Sequence, residues 1–226
     1  DCSMGKEQNA LYMSIINGIK QKEIQTLSAI QQLKMICSHP GLVDPSFKDL
    51  KAKRVPKLQK TIEILKEIQA KGEKAIIFTE YLQMQTILKK EILKTFSIDA
   101  PIINGGTGHR QLIVDHFNQN PNFSVLILSP KAAGTGLTIT GANHVIHYTR
   151  WWNPAVENQA TDRAYRIGQD KDVTVYYPIV SSNSGTTVEQ VIDELLEDKK
   201  ELARNIIVPN DALDIEKEVL QRVMVS

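Results

Sequence analysis

Through the middle of this 226-residue chain, short apolar runs alternate with amphipathic helical patterns. The runs are Ala75–Phe78 and residues 100–104, 124–129, 144–148 and 173–180. Patterns with apolar residues at helical spacing separate them, for example MQTILKKEILKTF and HRQLIVDHFNQN. Because strands that alternate with helices need crossover connections, they form largely parallel sheets. The sequence therefore predicts an α/β fold in which helices flank a parallel sheet.

Both ends of the chain have helical patterns. In residues 1–50, apolar side chains recur at helical spacing up to the breaker-rich segment SHPGLVDP, and we predict an all-helical N-terminal protrusion. The segment TTVEQVIDELLEDKKELARNIIV predicts a long helix capped by Thr186 or Thr187, followed by a short tail helix. The predicted division is residues 1–50, 51–183 and 184–226, in which the C-terminal helices pack on the main lobe or leave it.

Composition limits the class of protein and its surroundings. A chain of 226 residues with 42% hydrophobic residues can bury a sizeable core, and its net charge of +1 requires any nucleic-acid contact to come from a local patch. The two cysteines, Cys2 and Cys37, indicate a reducing compartment. The segment CSH at Cys37 lacks the paired spacing of a metal site, so we predict a buried thiol near a helix end.

Targeting signals give two further expectations. The sequence has no signal peptide and no apolar run of membrane-spanning length, so we expect no membrane partner. The first residue is Asp1 rather than methionine, and we expect the chain to be an excised fragment.

The loops that follow the predicted strands are rich in glycine and basic residues. Ligands of parallel α/β sheets bind beyond the carboxyl ends of the strands, so these loops are the candidate site. We expect Thr107 to cap a helix that begins beside Arg110. Glycine lets backbone N–H groups approach a phosphate, but it also serves purely steric needs in strand-to-helix turns, and both interpretations stand for each glycine. The glycines are Gly105, Gly106, Gly108, Gly134, Gly136 and Gly141.

Two familiar nucleotide-binding patterns are missing from the sequence. No G-x-x-x-x-G-K-[ST] segment occurs, so the chain cannot cradle a triphosphate in the P-loop manner. The segment GTGLTIT lacks the third glycine of the dinucleotide fingerprint, and no acidic residue ends the next strand. The chain therefore has arginines suited to phosphate but no phosphate site of its own, which is typical of half an active site.

A helix is predicted over residues 154–167. Asn153 is a good N-cap, Pro154 fits the first helical position, and Gly168 is a natural C-terminal stop. Helical geometry places Val156, Ala160, Ala164 and Ile167 on one face, which should pack against the core.

The neighbouring stripe of this predicted helix is basic. It contains Gln159, Arg163 and Arg166. One interpretation is a solvated stripe whose arginines pair with Asp162 or Glu157. The other is a surface that faces a phosphate.

The order of these segments resembles the second RecA-like lobe of a Swi/Snf-type, chromatin-remodelling-like ATPase of helicase superfamily two. The resemblance extends over nearly the whole chain. The helical protrusion of the family is resembled by IQQLKMICSHPGLV. Its motif IV is resembled by KAIIFTEY, and the segment after motif IV is resembled by NGGTGHRQLIVDHFN. VLILSPKAAGTGLTITGANHVIHYTRWWNPAVENQATDRAYRIGQ resembles motifs V and VI with their tryptophan-asparagine-proline link. Residues 51–183 would accordingly be the RecA-like helicase C-terminal lobe.

The resemblance implies a nucleotide site shared between two lobes. Arg163 and Arg166 would be arginine fingers that stabilise charge on the transferring phosphoryl group, and Gln159 would help to orient that surface. Gly134 and Gly136 would lie near the nucleotide. ATP and Mg²⁺ would be bound mainly by an N-terminal lobe that this sequence does not contain. We therefore expect the isolated chain to fold but not to hydrolyse ATP.

The resemblance also implies a groove that follows a DNA backbone without reading its sequence. Trp152 and Asn153 would support the link between the groove and the nucleotide site, although simple core packing explains Trp152 equally well. The groove residues would be Gly105, Gly106, Thr107, Arg110, Ser129, Lys131 and Thr138.

We therefore predict the C-terminal motor lobe of an ATP-dependent double-stranded DNA translocase or remodeller. Its expected partners are the N-terminal ATPase lobe of the same polypeptide, double-stranded DNA and a larger protein complex. The expected location is intracellular: cytoplasmic for a prokaryotic protein, which the short insertions favour, or nuclear for a eukaryotic one. Two alternatives stay open, namely a lobe of a strand-separating DNA or RNA helicase and a catalytically silent scaffold that binds DNA or protein.

Overall fold

The computed structural model describes residues 2–21, 26–133, 136–151, 153–164, 169–205, 218–219 and 221–224. The chain forms two compact units. The first contains Asp1–Gln59, Trp152–Pro154 and Ile179–Ser226, and the second contains Lys60–Trp151 and Ala155–Pro178. The first unit thus combines segments from both ends of the sequence. The predicted boundaries at residues 50 and 183 stay a prediction.

Strands and helices alternate along the second unit. The strands of the chain are β1 Cys2–Ser3, β2 Ala75–Phe78, β3 Ile102–Ile103, β4 Val125–Leu128, β5 His144–His147, β6 Thr174–Tyr176 and β7 Val180–Ser181. The helices are α1 Lys6–Lys20, α2 Thr26–Ser38, α3 Pro56–Ala70, α4 Leu82–Phe96, α5 Arg110–Gln119, α6 Pro130–Ala133, α7 Pro154–Thr161 and α8 Val188–Asn205. Among the described residues, no helix is both long and apolar enough to span a membrane.

The second unit is built on a five-stranded parallel sheet in the order β3-β4-β2-β5-β6. Ala75 of the central strand lies opposite Val125 on one side and His144 on the other. Every residue of β2, β4 and β5 is buried, as expected for strands covered on both faces, which read as continuous apolar runs. The predicted parallel α/β sheet flanked by helices is confirmed.

Helices α4 and α5 each follow a strand and bury one face. Helix α4 buries Met84, Leu88 and Ile92 at helical spacing. It ends at Phe96 and is followed by the C-cap Ser97, whose φ of 57° is left-handed. Helix α5 buries Val114 and Phe117. Val114 and Phe117 belong to the apolar core of the second unit.

The first unit is mainly helical, with one small sheet. Its core brings together side chains of α1, α2 and α8, including Tyr12, Leu33 and Val191. Helix α8 begins with a reciprocal cap: the Gln190 N–H donates to Thr187 Oγ1 over 3.2 Å, and the Thr187 N–H donates to Gln190 Oε1 over 3.0 Å. The predicted cap at Thr187 is confirmed, and residues 218–219 and 221–224 are helical, as expected for a tail helix.

Two sequence expectations about the strands and the N-terminal segment were wrong. The N-terminal segment is not all-helical, because Cys2 and Ser3 pair in parallel with Val180 and Ser181. The run 173–180 is also not one strand, because β6 and β7 belong to different sheets. Pro178, which has no N–H group to donate to a ladder, lies between them. The expectation for Cys37 was correct, since this thiol is free and buried at the end of α2.

A charged cluster lies at the amino ends of β2 and β5. His144 Nε2 is 2.6 Å from Glu73 Oε2, and His144 Nδ1 is 3.2 Å from the Tyr176 hydroxyl. Lys171 Nζ donates to Glu73 Oε1 over 2.9 Å. The hydrogen bonds from His144 and then from Lys171 lower the pKa of Glu73 from 4.5 to about 2. The cluster holds the charged form of this carboxyl at the edge of the sheet opposite the strands' carboxyl ends.

Glu73→Gln is expected to lower the free energy of unfolding by about 1 kcal/mol at neutral pH, the upper value for a partly exposed ion pair. Because the folded pKa of Glu73 is depressed, its contribution is present above the unfolded value of 4.5 and is lost as pH falls through about 2. Denaturant unfolding at pH 7 and pH 2 measures this. A difference between the native and Glu73→Gln chains that is equally large at both pH values would contradict the assignment.

Candidate functional site

A groove of about 350 Å³ lies beyond the carboxyl ends of β2, β3, β4 and β5. Four residues predicted to contact nucleic acid line it, namely Gly105, Arg110, Ser129 and Lys131. The remaining lining residues are Glu80, Leu82, Asn104, Pro130, Ala132 and Trp151. Sequence reasoning did not select Asn104, the last residue of the predicted run 100–104, or Trp151, which lies three residues after the predicted run 144–148.

The loop after β3 is held in shape by its own polar groups. Asn104 Oδ1 accepts from the Gly106 N–H over 3.0 Å. The Arg110 side chain donates from Nε to the Thr107 carbonyl over 3.0 Å and from Nη2 to the Gly105 carbonyl over 2.9 Å. An arginine has five N–H donors in a planar fork, so Arg110 can brace this loop and still offer donors to an anion.

Thr107 does not cap helix α5, contrary to the sequence expectation. The residue before the helix is His109, which has a φ of 49° and makes no side-chain cap. The Thr107 hydroxyl instead accepts from the Asn104 N–H over 2.9 Å and lies 3.3 Å from the Ile102 carbonyl. This threonine closes the loop beneath the groove because the loop turns back before the helix begins.

The loop after β4 supplies a hydroxyl and a cation. Ser129 Oγ accepts from the Ala132 N–H over 3.3 Å at the start of α6. Lys131 is exposed on the same short helix. Thr138, which was also predicted to contact nucleic acid, is half-buried and does not line this groove.

The segment 136–142 is braced from two sides. Asn118 donates to the Thr138 carbonyl over 3.0 Å and accepts from the Gly141 N–H over 2.9 Å. The Gln169 side chain donates to the carbonyls of Thr140 and Ala142, over 3.1 and 2.7 Å. The segment therefore has a fixed course between α5 and the residues that follow Arg163 in the chain.

Gly141 allows a close approach to α5. A Cβ at this position would lie 2.8 Å from the Asn118 Cα and 3.0 Å from Lys74 Nζ. Lys74 Nζ is itself fixed, because it donates to the carbonyls of Phe117 and Asn120 over 2.8 and 2.6 Å. Neither the Asn118 backbone nor Lys74 Nζ can therefore shift without disturbing other contacts of the fold.

Gly141→Ala is accordingly expected to destabilise the chain by about 1–3 kcal/mol, the usual cost of overpacking. The control is Gly108→Ala, since a Cβ there meets nothing within 4 Å. Denaturant unfolding of both variants measures the difference. Equal stability of the two variants would show that the segment 136–142 can move away from α5.

Helix α7 begins at Pro154, as predicted, but it ends at Thr161 rather than at Ile167. The chain then tightens, because the Arg163 N–H donates to the Ala160 carbonyl over 3.2 Å and the Ala164 N–H to the Thr161 carbonyl over 3.0 Å. This turn leaves the Arg163 carbonyl free of the helix, and it accepts from the Ile139 N–H over 2.9 Å. A tertiary hydrogen bond therefore replaces the last helical turn.

The expected Gln/Arg stripe does not form over its described residues. Gln159 is exposed on α7, whereas Arg163 lies beyond the helix and is only 6% exposed. Ala160 and Ala164 pack in the core of the second unit, as the apolar face predicted. Arg166, Gly134 and Trp152 lie outside the described residues. Asn153 is half-buried and directly precedes α7.

Glu157 is paired, but its partner is Arg150 and not an arginine of the expected stripe. Arg150 Nε donates to Glu157 Oε1 over 2.9 Å, and both side chains are 1% exposed. The Arg150 guanidinium also lies 4.2 Å from the centre of the Tyr177 ring. No sequence pattern indicated this pair, because Arg150 lies in the loop before α7 and not on the helix itself.

The backbone of Gly136 and the neighbouring Arg163 suit an anionic ligand. Gly136 has a φ of 82°, and a Cβ there would meet nothing within 4 Å, so its backbone is open to a ligand. The Arg163 carbonyl accepts from the N–H of Ile139, which lies in the same segment as Gly136. Among the residues that the structure describes, no three His, Cys, Asp or Glu side chains are grouped to hold a metal ion. These residues fit the phosphate part of a nucleotide and give Mg²⁺ no ligand set.

A parallel sheet with glycine-rich, basic loops at its carboxyl edge is compatible with a RecA-like lobe. Residues 56–168 match the family described as the helicase conserved C-terminal domain. The solved C-terminal domain of the Sulfolobus solfataricus SWI2/SNF2 ATPase has a TM-score of 0.74 and 31% sequence identity, over 98% of this chain and 94% of that chain. The SWI2/SNF2 ATPase core of the same organism in complex with dsDNA has a TM-score of 0.76 and 33% identity, over 98% of this chain and 48% of that chain.

The curated relatives are much longer than this chain. The Bacillus subtilis protein YwqA, named as an ATP-dependent helicase/translocase, is 45% identical over 199 residues, which are 87% of this chain and 21% of YwqA. The chain spans about a fifth of the length of the curated relatives it matches. It belongs to the Swi2/Snf2 family, as a C-terminal helicase lobe.

Proposed function

We propose that this chain is the C-terminal motor lobe of an ATP-dependent double-stranded DNA translocase. The observation that carries the proposal is the groove at the carboxyl edge, which gathers Gly105, Arg110, Ser129 and Lys131 from two separate loops. These groups offer backbone N–H, hydroxyl and cationic donors, which bind phosphates without reading bases. The relative solved with dsDNA supports a duplex as the ligand.

The nucleotide would be shared with an N-terminal lobe of the same polypeptide. That lobe would supply the P-loop, and its Mg²⁺ would neutralise charge on the phosphates. This chain would contribute the open backbone at Gly134 and Gly136, with Arg163 and Arg166 as arginine fingers and Gln159 orienting that surface. Because Arg163 is 6% exposed, the larger direct contact is assigned to Arg166.

The two sites would be coupled by movement of the lobes. Closure around ATP would bring the arginines to the transferring phosphoryl group, and reopening after hydrolysis would advance the lobes along one strand. A translocase of this kind needs no strand separation, so duplex DNA itself would stimulate turnover. Alone, the chain would lack the P-loop and would be inactive.

Comparison of ATP turnover by the full parent polypeptide with no nucleic acid, duplex DNA, single-stranded DNA and RNA tests the proposal. Duplex DNA is expected to stimulate turnover most. Preferential stimulation by single strands or RNA would support a strand-separating helicase instead. Absence of turnover under every condition would support a catalytically silent scaffold.

Lys131→Ala is expected to weaken duplex binding similarly for all sequences and to reduce the slope of log K against log salt by about 0.9, the value for one phosphate contact. Lys131 is suitable because it is exposed and lines the groove. Lys60→Ala is the control, since this half-exposed lysine lies on α3 beside Glu63. Fluorescence anisotropy over a salt series measures the slope, and equal slopes for both variants would remove Lys131 from the interface.

A further inference from the structure

The buried Arg150–Glu157 ion pair occupies the junction between the groove and α7. Arg150 lies in the loop between β5 and α7, Glu157 lies on α7, and each side chain is 1% exposed. Removing two charges from water is expensive, and apolar residues of similar volume often stabilise a fold equally well. Stability alone therefore does not explain an ion pair in this place.

Glu157 also fixes the backbone of the groove wall. Its Oε1 atom accepts from Arg150 Nε over 2.9 Å and from the Trp151 N–H over 2.8 Å. Trp151 lines the groove together with Arg110 and Lys131. The position of this wall is therefore set by a carboxylate on α7.

The other end of α7 is attached to β5 and to the arginine segment. Thr161 Oγ1, on the last residue of the helix, lies 2.8 Å from His147 Nε2. Two residues later, the Arg163 carbonyl holds the Ile139 N–H over 2.9 Å. A helix of this length is a rigid rod of about 12 Å, so a shift at Glu157 moves the residues after Thr161 as well.

An aromatic stack holds Arg150 in its direction. The guanidinium lies 4.2 Å from the centre of the Tyr177 ring, and Tyr177 stacks on His147 with ring centres 5.2 Å apart. His147 in turn stacks on Phe78 at 5.3 Å. The same histidine thus contacts both the stack behind Arg150 and the end of α7.

We propose that Arg150 and Glu157 are positioning residues that transmit occupation of the groove to the segment with Arg163 and Arg166. The pair sets the maximal rate of duplex-stimulated ATP turnover and does not itself contact DNA or ATP. This inference rests on the proposed function, because it requires both a DNA groove and an arginine segment.

The test uses the full parent polypeptide in three forms: native, Arg166→Ala, and the double variant Arg150→Met with Glu157→Leu. The apolar double variant removes both charges and the acceptor of the Trp151 N–H without leaving one charge buried. Its maximal duplex-stimulated turnover is expected to fall by at least about 10-fold and by up to about 100-fold, the loss that a misplacement of about 1 Å can cause. The duplex concentration for half-maximal stimulation and the KM for ATP should change less than about threefold, since a uniform loss of binding would change KM instead.

The exposed pair on α3 provides the matched control. Lys60→Met with Glu63→Leu removes two charges whose side chains are 47% and 46% exposed, and it should leave stimulated turnover unchanged. Thermal melting accompanies every assay. A purely structural role for Arg150 and Glu157 would lower the melting temperature and leave the turnover of the folded fraction intact.

The outcomes distinguish failure of the positioning role from failure of the proposed function. Native turnover in a folded double variant overturns the positioning role while leaving the proposed function in place. If duplex DNA does not stimulate turnover of the native protein, and Arg166→Ala has the same turnover as the native protein, the proposed function and this inference are overturned together. If the double variant does not fold, Glu157→Gln replaces it: a maximal turnover lowered at least threefold with unchanged KM supports the role, and native turnover overturns it.

Discussion

Arg166→Ala in the full parent polypeptide is expected to lower duplex-stimulated ATP turnover by about 10³- to 10⁵-fold, the range found when an arginine finger is lost. The guanidinium is planar, permanently charged and able to bind two phosphate oxygens at once, so its removal leaves charge in the transition state without a counterpart. The P-loop of the other lobe would be untouched. ATP binding should therefore stay within a few-fold of native.

Arg166→Lys separates charge from geometry. A lysine keeps the positive charge but loses the two-point fork, so turnover should recover only part of the loss. Arg54→Ala is the control for loss of an arginine, because this half-exposed side chain pairs with Glu7 in the first unit. Steady-state ATP hydrolysis and a fluorescent-nucleotide titration measure the two effects. Near-native turnover by Arg166→Ala would remove this residue from the reaction.

Arg163→Ala should combine a loss of chemistry with a loss of packing. The Arg163 side chain is 6% exposed, so its truncation also removes packing in the second unit. A loss of turnover in this variant is attributable to chemistry only where the melting temperature is near native.

The sequence predicts the sheet well because strands that are buried on both faces are rich in apolar residues, which the sequence shows directly. Strands β2, β4 and β5 are buried at every position; β2 and β4 appear in the sequence as continuous apolar runs, and β5 has an apolar centre between His144 and His147. The rule that ligands bind beyond the carboxyl ends of parallel strands then selects the loops that line the groove. Four of the predicted nucleic-acid residues do line one groove.

What the sequence could not predict depends on contacts between distant segments. The two-residue strand Cys2–Ser3 has no local pattern, and only its parallel pairing with Val180 and Ser181 defines it. The end of α7 is likewise set by tertiary hydrogen bonds, from Thr161 to His147 and from Ile139 to the Arg163 carbonyl. Gly168 is a sound local stop signal, but these bonds end the helix earlier.

The pairing of Glu157 shows the same limit. Helical spacing predicted that Glu157 could pair with an arginine of the expected stripe. In the structure, Arg150 in the loop after β5 donates from Nε to Glu157 Oε1 over 2.9 Å. Charge pairs along one helix are visible in a sequence, whereas pairs across a loop depend on its course. The residues that join the groove to α7 were therefore the least predictable part of the site.

Glu189→Ala is expected to destabilise this chain by about 3–5 kcal/mol, the cost of breaking a buried ion pair from one side. Glu189 and Lys57 form this pair in the first unit, where the side chains are 3% and 0% exposed. Glu189 Oε2 also accepts from the Val180 N–H over 3.1 Å, at the start of β7. The variant therefore leaves both a buried ammonium and a strand N–H without this carboxylate.

For a chain of this size, such a loss corresponds to a melting temperature lower by about 6–20 °C. Glu194→Ala on the same helix is the matched control: its side chain is 60% exposed and lies 3.5 Å from Arg222, so the change should stay within about 0.5 kcal/mol. Lys57→Met combined with Glu189→Leu removes both charges and should restore most of the lost stability, since no lone charge stays buried. Denaturant unfolding of the three variants decides the point. If Glu189→Ala and Glu194→Ala unfold alike, water reaches Lys57 in solution and the pair does not hold the first unit together.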